Sequence, residues 1–381
     1  MENIVFYQPQ KLVFGDGCFS RFIQDLKEMK LKRLFILTVP FLREQIELAM
    51  EPLTSGNVTI AINSGLDSEP GFSHYHQLLA EANTFQPDGV IGIGGGSVLD
   101  LSKLLAAMIH NDQKITDVVG IGLLHSRSLF LACLPTTSGT GSEVSPNAIL
   151  LDESDNMKKG IISHYLVPDY TCIDPLLTIG VPPELTASTA MDALTHCLEA
   201  FTNRFAHPMV DLYALEGIRL ISKNLVTAFQ DGSDTASRRA LSMGSLYGGL
   251  CLGPVNTAAV HALSYPLGSK FKVPHGLANA MLLPYVMEYN LSADVLRYRQ
   301  VAMALGAVPK KSDEETALEG VAIIRNLLRR CSLPQQLSQI GIPVESIPEM
   351  ALSAVTIQRL MKNNVREILV ADAINIYEKA Y

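Results

Sequence analysis

Two ionisable residues four positions apart in an apolar segment are the first chemical feature of this sequence. The segment "LTASTAMDALTHCLEAF" (185–201) carries Asp192 and His196. On an α-helix, positions i and i+4 lie one turn apart on the same face. A carboxylate and an imidazole placed in this way can share a metal ion, share a proton, or form a structural hydrogen bond.

Two further histidines stand in apolar surroundings of the same region. His261 begins "HALSYPLGSKF", and His275 lies in "VPHGLANAMLLP". Each one alone is explained by a hydrogen-bonded core histidine or a helix cap. Taken with Asp192 and His196, they suit a divalent first-row metal, because buried ionisable groups are costly unless they are paired or bind a cation. None of the six cysteines belongs to a C-x-x-C pair, so a catalytic site with an open coordination position is favoured over a closed structural zinc site.

A glycine-rich turn predicts an anion site. "IGIGGGSVLDLSK" (91–103) ends a predicted strand and opens a predicted helix. Gly94, Gly95 and Gly96 allow backbone N–H groups to approach a pyrophosphate, and the helix N-terminus favours negative charge. The segment lacks the usual setting of G-x-G-x-x-G and the lysine of a P-loop. A tight turn without a ligand is the alternative interpretation.

A hydroxyl-rich loop, "PTTSGTGSEVSPN" (135–147), follows another predicted buried strand. Its first eight residues include Thr136, Thr137, Ser138, Thr140 and Ser142. At the carboxyl edge of an open α/β sheet such side chains can donate to phosphate or ribose. A polar surface loop is the alternative, and Glu143 is interpreted as a helix cap or structural carboxylate.

The elements that must position these residues change character near residue 180. Strands are predicted at 33–39, 58–63, 89–97 and 129–137, with helices at 41–53, 75–85 and 98–109 between them. Short apolar strands alternating with helices are typical of a parallel sheet covered on both faces. Beyond the prolines of "TIGVPPEL" (178–185), the apolar pattern has helical periodicity throughout. We therefore predict an α/β domain over 1–180 and an all-helical domain over 181–381.

Composition narrows the class of protein. The 381 residues are 48% hydrophobic and 18% charged, which is enough to bury a large core. A net charge of −8 without a Lys/Arg run disfavours a nucleic-acid partner. The sequence shows neither a signal-peptide pattern nor an apolar run of membrane-spanning length, and its cysteines form no disulfide pattern. A cytoplasmic globular protein is expected, with no membrane partner.

Four segments together resemble the iron-containing (group III) alcohol dehydrogenase family. They are "GIGGGSVLDLSK" (92–103), "PTTSGTGSEVSPNAIL" (135–150), "MDALTHCLEAF" (191–201) and "HALSYPLGSKFKVPHGLANAMLLPYVMEYN" (261–290). The resemblance implies a Rossmann-like nucleotide domain, then a helical metal-binding domain, as in the dehydroquinate synthase-like architecture, with the active site between them. It also implies a homo-oligomer, most simply a dimer, that transfers hydride between a small primary or secondary alcohol or aldehyde and NAD or NADP. The implied metal is Fe²⁺, with Zn²⁺ as the alternative.

The resemblance also implies roles for individual residues. The metal ligands are Asp192, His196, His261 and His275. The cofactor turn comprises Gly94, Gly95, Gly96, Ser97 and Asp100, and Thr136, Thr137, Thr140 and Lys158 also line the cofactor. Asn147 lies near the nicotinamide and the substrate.

The sequence departs from the family pattern at two positions. Tyr265 replaces a histidine that many members use near the nicotinamide, and tyrosine is a poorer proton relay at neutral pH. Tyr265 is expected to bind substrate or ribose, or to form the pocket wall. Val39 stands where NAD-using members usually have an aspartate, so the choice between NAD and NADP stays open.

Two other functions fit the same pattern less well. A dehydroquinate synthase-like or glycerol-1-phosphate dehydrogenase-like enzyme needs several cations for its anionic substrate, and Lys270 and Lys272 are the nearest in the motif segments. A non-enzymatic metal-binding protein leaves the glycine and threonine segments unexplained.

Overall fold

A six-stranded parallel sheet and a bundle of helices form two separate units of the chain. The structure, a computed structural model, describes residues 3–66 and 70–381. The unit that contains the sheet comprises residues 7–137 and 142–178, and we call it the sheet unit. The helical unit comprises residues 138–141 and 179–381 together with the N-terminal residues up to Phe6.

The sheet unit alternates strands with helices as far as its fourth helix. Its elements are β1 (Lys11–Phe14), α1 (Cys18–Glu28), β2 (Arg33–Leu37), α2 (Arg43–Thr54), β3 (Thr59–Asn63), α3 (Phe72–Phe85), β4 (Gly89–Gly94), α4 (Gly96–Met108), β5 (Gly120–Ile121), β6 (Phe130–Pro135), β7 (Asn147–Asp152), β8 (Met157–Ile162) and β9 (Tyr170–Ile173). The main sheet has the order β1-β9-β6-β4-β2-β3, and all its strand pairs are parallel. A second sheet, β5-β8-β7, pairs β7 antiparallel to β8.

Both faces of the main sheet are buried, which explains the continuous apolar character of its strands. On β2, Phe35 packs into one hydrophobic cluster with residues of α3 and α4, whereas Ile36 packs into another with residues of α1 and α2. All six residues of β4 are buried. This arrangement places the carboxyl ends of β4 and β6, and the turns that follow them, at one edge of the sheet.

The helical unit is built from longer elements. They are α5 (Pro183–Phe201), α6 (Pro208–Gln230), α7 (Thr235–Leu252), α8 (Ala259–Phe271), α9 (His275–Asn290), α10 (Val295–Leu305), α11 (Asp313–Arg330), α12 (Ile347–Val355), α13 (Gln358–Met361) and α14 (Val370–Lys379). Sequence sets several of their starts. Pro183 occupies the first turn of α5, while Asp234 and Ser312 accept backbone hydrogen bonds at the N-termini of α7 and α11.

The predicted class, a parallel-sheet domain followed by a helical domain, is confirmed. Each predicted strand and helix of the first half corresponds to an observed one, with ends that differ by a few residues. Strands β1, β5, β7, β8 and β9 and helix α1 were not predicted. No helix within the described residues has both the length and the hydropathy needed to cross a membrane.

Candidate metal and cofactor site

Four predicted ligands lie side by side in the helical unit, and we call them the ligand cluster. Asp192 and His196 lie one turn apart on α5, His261 is in the first turn of α8, and His275 is the first residue of α9. The Nε2 atoms of His196, His261 and His275 lie 3.7, 3.6 and 3.6 Å from Asp192 Oδ1. Ligand atoms about 2.1 Å from one tetrahedral ion lie about 3.4 Å apart, so each of these separations from Asp192 Oδ1 is compatible with a shared metal.

The close approach of α9 to α5 depends on a glycine. A Cβ atom on Gly276 would lie 2.3 Å from the carbonyl oxygen of Ser188 and 3.4 Å from Cβ of Asp192. Only a residue without a side chain permits this contact. Gly276 therefore allows the N-terminus of α9, and with it His275, to reach the carboxylate on α5.

Glu199 orients His261 and was not predicted. Its Oε2 atom lies 2.6 Å from His261 Nδ1, and its Oε1 atom accepts a hydrogen bond of 2.6 Å from the backbone N–H of Val260. When Nδ1–H donates to a carboxylate, Nε2 keeps its lone pair for a metal. A signal was available in the sequence, because Glu199 lies two turns after Asp192 on the same helix.

Asn279 supplies a second observation in favour of a cation. Its Nδ2 donates to Asp192 Oδ1 at 2.7 Å and lies 3.1 Å from His261 Nε2 and 3.3 Å from His275 Nε2. An amide nitrogen carries two hydrogens, so it cannot satisfy three acceptors at once. The ligand atoms of Asp192, His261 and His275 all lie within 4.8 Å of one another, and this set of one carboxylate and two imidazoles suits a divalent metal. His196 approaches the same carboxylate and adds a third imidazole.

The charges of the ligand cluster are strongly coupled. Burial raises the pKa of Asp192, but the nearby histidines outweigh it and hold that pKa below its usual range. Burial lowers the pKa of His196 to about 4. Burial also acts to lower the pKa of His261, but Glu199 and Asp192 raise it to about 10. The neutral form of His196 at pH 7 is the form that binds metals.

Tyr265 lies beside the ligand cluster, one turn after His261 on α8. Its ring centroid is 6.1 Å from that of His275, and its hydroxyl accepts a hydrogen bond of 2.9 Å from Arg359 Nη2. The contact with Arg359 was not predicted, since 94 positions separate the two residues in sequence.

The glycine turn lies in the sheet unit, where it connects β4 to α4. Gly94 ends β4, Gly95 has an extended backbone, and α4 begins at Gly96. The backbone N–H of Thr136 donates to Gly94 O at 3.0 Å, so the ends of β4 and β6 are joined. A Cβ on Gly95 would lie 3.6 Å from Thr137 Oγ1. The first-turn amides at Gly96 and Ser97 have no partner within the helix, which is the condition for binding a phosphate.

Asp100 and the unpredicted Lys103 fasten the loop between β6 and β7 to α4. Asp100 accepts hydrogen bonds from the Ser142 hydroxyl and from the Ile149 N–H, the latter at 2.8 Å. The buried Lys103 ammonium donates to Ser142 O and Oγ at 2.9 and 3.0 Å and to the carbonyl of Asn147. Both Asp100 oxygens thus have protein partners, and its predicted contact with the cofactor stays a prediction.

The remaining predicted residues occupy both units. Asn147 begins β7, and its buried Oδ1 has no hydrogen-bond partner among the described residues. Lys158 lies on β8 with a half-buried side chain. Thr140 belongs to the 138–141 segment of the helical unit. The next residue, Gly141, has φ +63° and packs so closely on Gly249 that a Cβ would lie 2.3 Å from its Cα.

Comparisons with known proteins agree with this arrangement. A family model described as "Iron-containing alcohol dehydrogenase" matches residues 9–175, and one described as "Fe-containing alcohol dehydrogenase family, C-terminal" matches residues 186–381. The chain belongs to the iron-containing alcohol dehydrogenase family. The alternative of a dehydroquinate synthase-like or glycerol-1-phosphate dehydrogenase-like enzyme is not favoured.

Individual relatives of the iron-containing alcohol dehydrogenase family match along nearly their whole length. Long-chain-alcohol dehydrogenase 1 of Geobacillus thermodenitrificans is 34% identical over 374 residues, covering 96% of this chain and 94% of the relative. Sulfoacetaldehyde reductase of Bilophila wadsworthia is 31% identical over 373 residues, covering 95% of each. The crystal structure of a 1,3-propanediol oxidoreductase superposes with a TM-score of 0.95 at 30% identity and covers both chains fully.

Membership in the iron-containing alcohol dehydrogenase family confirms the predicted class of activity. The protein is a metal-dependent oxidoreductase that interconverts alcohols and aldehydes with a nicotinamide cofactor. The predictions of a divalent metal and of NAD or NADP are confirmed at this level.

Proposed function

We propose that Asp192, His196, His261 and His275 hold the catalytic metal ion, iron(II) in the first instance and zinc as the alternative. The observation that carries the proposal is the convergence of three imidazole Nε2 atoms on Asp192 Oδ1 within 3.7 Å. A bound ion supplies Lewis acidity to the oxygen of the alcohol or aldehyde. The chain's part is to hold this geometry, with Glu199 fixing His261 and Gly276 admitting the first turn of α9.

The cofactor is assigned to residues of the hydroxyl- and glycine-rich segments. Gly94, Gly95, Gly96 and Ser97 receive the pyrophosphate at the N-terminus of α4, with Asp100, Thr136, Thr137, Thr140 and Lys158 lining the cofactor. Asn147 Oδ1, which has no hydrogen-bond partner in the part of the chain that the structure describes, is an acceptor available to a carboxamide or ribose donor. On this proposal residues 1–180 serve nucleotide binding and residues 181–381 serve metal binding.

The position after β2 bears on the choice of cofactor. Val39 is apolar, so it neither accepts a hydrogen bond from a ribose 2′-hydroxyl nor repels a 2′-phosphate. We therefore expect both NADH and NADPH to support turnover. A strict preference for one of them would require a selective group elsewhere.

The substrate is a small alcohol or aldehyde, with Tyr265 beside its binding position. Relatives named above act, by their names, on long-chain alcohols, on 1,3-propanediol and on sulfoacetaldehyde, so neutral and anionic substrates both occur in the family. A cytoplasmic homodimer is part of the proposal. The cytoplasmic location is consistent with the six buried free cysteines. Light scattering of the purified protein would test whether it is a dimer.

One experiment tests the assignment of the ligand cluster. Metal-stripped protein is reconstituted with Fe²⁺ or Zn²⁺ and assayed by NADH and NADPH oxidation against a panel of aldehydes. His261→Ala and Asp192→Asn are expected to lose both bound metal and turnover, because each removes a ligand atom. His125→Ala, which changes an exposed histidine of the sheet unit, serves as the control. Wild-type activity in metal-stripped His261→Ala would contradict the proposal.

A further inference from the structure

We infer that Arg359, seated against Tyr265, forms a subsite for an anionic group of the substrate. The preferred substrates are then short aldehydes and alcohols that carry a carboxylate or a sulfonate away from the reacting carbon. The inference rests on the proposed function, because it requires the reacting oxygen to lie at the ligand cluster.

Tyr265 lies close to His275 of the ligand cluster and also contacts the guanidinium of Arg359. The ring of Tyr265 lies 6.1 Å from the ring of His275, centroid to centroid. Arg359 Cζ lies 5.6 Å from the centroid of the Tyr265 ring, and its Nη2 donates to the Tyr265 hydroxyl at 2.9 Å. Tyr265 thus contacts both His275 and Arg359, so a substrate with its oxygen at the ligand cluster and its anion on Arg359 extends past the Tyr265 ring.

The charge of Arg359 has no partner of opposite sign within the residues described. Its guanidinium carries five N–H donors, and the contact with Tyr265 engages Nη2. No described carboxylate lies within ion-pair distance of it, whereas Arg127 pairs with Asp169 and Arg297 with Asp211. A half-buried guanidinium in this state favours an anionic ligand, which it can bind with two parallel N–H groups.

The other candidate cations near α8 are already engaged or lie in solvent. The Lys270 ammonium is paired with Glu349, and Lys272 is exposed at the C-terminus of α8. These were the two residues that the sequence indicated as the nearest cations. Arg359 therefore supplies the positive charge that the motif segments lack.

The backbone that carries Arg359 is held in place. Asn363 Nδ2 donates to the carbonyl of Thr257, just before α8, at 2.8 Å and to the carbonyl of Arg359 at 3.2 Å. The N–H of Arg204 donates to Asn363 O at 2.8 Å. Because α13 is tied to the segments around α5 and α8, the guanidinium is positioned before a ligand arrives, which lowers the entropic cost of binding.

The test compares matched substrates on the metal-loaded holoenzyme. 4-Oxobutanoate is compared with its neutral methyl ester, and 2-oxoethanesulfonate with propanal, so that carboxylate and sulfonate are separate arms. The wild type is expected to favour the anionic member of at least one pair in kcat/KM. Arg359→Gln is expected to lower that anionic-to-neutral ratio roughly 10- to 100-fold, the range for a lost charge-assisted hydrogen bond.

Two further variants make the test specific. Lys362→Gln removes the same charge from an exposed position three residues on, and it should leave the ratio unchanged. Arg359→Lys keeps the charge without the planar fork, so an intermediate ratio is expected. Succinate, a non-reacting dianion, should inhibit the wild type competitively against 4-oxobutanoate and should inhibit Arg359→Gln at least tenfold more weakly.

Failure of this inference is distinguishable from failure of the proposed function. Equal or faster turnover of the neutral partner in both pairs by the wild type overturns the anionic subsite but leaves the metal-dependent reduction intact. The same ratio in Arg359→Gln as in the wild type also overturns it, and if that variant does not fold, an unchanged ratio in Arg359→Lys does so. Absence of turnover with every aldehyde by metal-loaded protein contradicts the proposed function itself.

Discussion

Glu199→Gln tests whether the carboxylate behind His261 tunes the metal site. Glu199 is buried, and its two oxygens accept from two different donors, His261 Nδ1 and the N–H of Val260, each at 2.6 Å. Glutamine has the same shape but only one acceptor oxygen, so its NH₂ group must face one of these donors. The substitution therefore removes both the negative charge and one hydrogen bond.

The expected magnitude follows from these two losses. Replacing an outer carboxylate of a metal-bound histidine typically lowers metal affinity 10- to 100-fold, or by about 1.4–2.7 kcal/mol. The unsatisfied buried donor also lowers the free energy of unfolding by about 1–3 kcal/mol. Glu199 acts on the metal site through His261, so turnover at saturating metal is expected to fall less than metal affinity does.

Metal affinity is measured on stripped protein by competition with a chelator, with Co²⁺ absorption as a readout independent of activity. Glu184→Gln is the matched control, since it changes an exposed glutamate in the first turn of the same helix. It should keep the wild-type affinity within about twofold. A wild-type dissociation constant in folded Glu199→Gln would refute the role of this carboxylate.

Three other substitutions give separate expectations. Gly276→Ala places a Cβ 2.3 Å from the Ser188 carbonyl oxygen, so α9 must move. We expect the free energy of unfolding, measured by urea denaturation, to fall by at least about 2 kcal/mol and metal binding to weaken. Wild-type values of both quantities would contradict the packing described for Gly276. Burial raises the pKa of Glu143 from 4.5 to about 7, so its contribution to stability is present below pH 4.5 and is lost as the pH rises through 7. Glu143→Gln should therefore remove about 3 kcal/mol of the decrease in unfolding free energy between these pH values. An unchanged pH dependence in the variant would exclude this role of Glu143. Lys103→Met leaves the half-buried Asp100 carboxylate without its nearby cation and removes the hydrogen bonds that hold the loop after β6. We expect the free energy of unfolding to fall by about 3–5 kcal/mol and the quenching of nicotinamide fluorescence to weaken. Unchanged stability would show that these hydrogen bonds are dispensable.

Sequence periodicity was sufficient for much of the fold because the relevant signals are local. The strands β2, β3, β4 and β6 are short apolar runs between amphipathic helices. By contrast, β1 contains the exposed residues Lys11 and Leu12 at an edge of the sheet, so it lacks a buried pattern. The strand β7 contains the apolar run 148–151 and could have been predicted from it, whereas β8 begins with Met157, Lys158 and Lys159 and lacks a continuous apolar run.

Some residues of the candidate site could be predicted from local spacing, whereas others depend on contacts between parts of the sequence that are far apart. Helical spacing alone placed Asp192 and His196 on one face, but the approach of His275 depends on the contact between Gly276 and Ser188, which no local pattern reveals. Glu199 lies on the same stripe as Asp192 and could have been found from spacing. Arg359 could not, because its relation to Tyr265 arises only when α13 packs near α8.

The distribution of these residues between the two units has a chemical consequence. The ligand cluster, its outer carboxylate Glu199 and the Arg359–Tyr265 pair all belong to the helical unit, so their geometry is set by packing among α5, α8, α9 and α13. The glycine turn, Asp100 and Lys103 belong to the sheet unit, where their positions are set by β4, α4 and the loop that follows β6. On the proposed function, substitutions in the ligand cluster are expected to change metal affinity, and substitutions at the glycine turn are expected to change the affinity for an isolated nicotinamide cofactor. On the same proposal, the helical unit supplies the metal ligands and the anionic subsite, whereas the cofactor contacts come from the sheet unit together with Thr140 of the 138–141 segment.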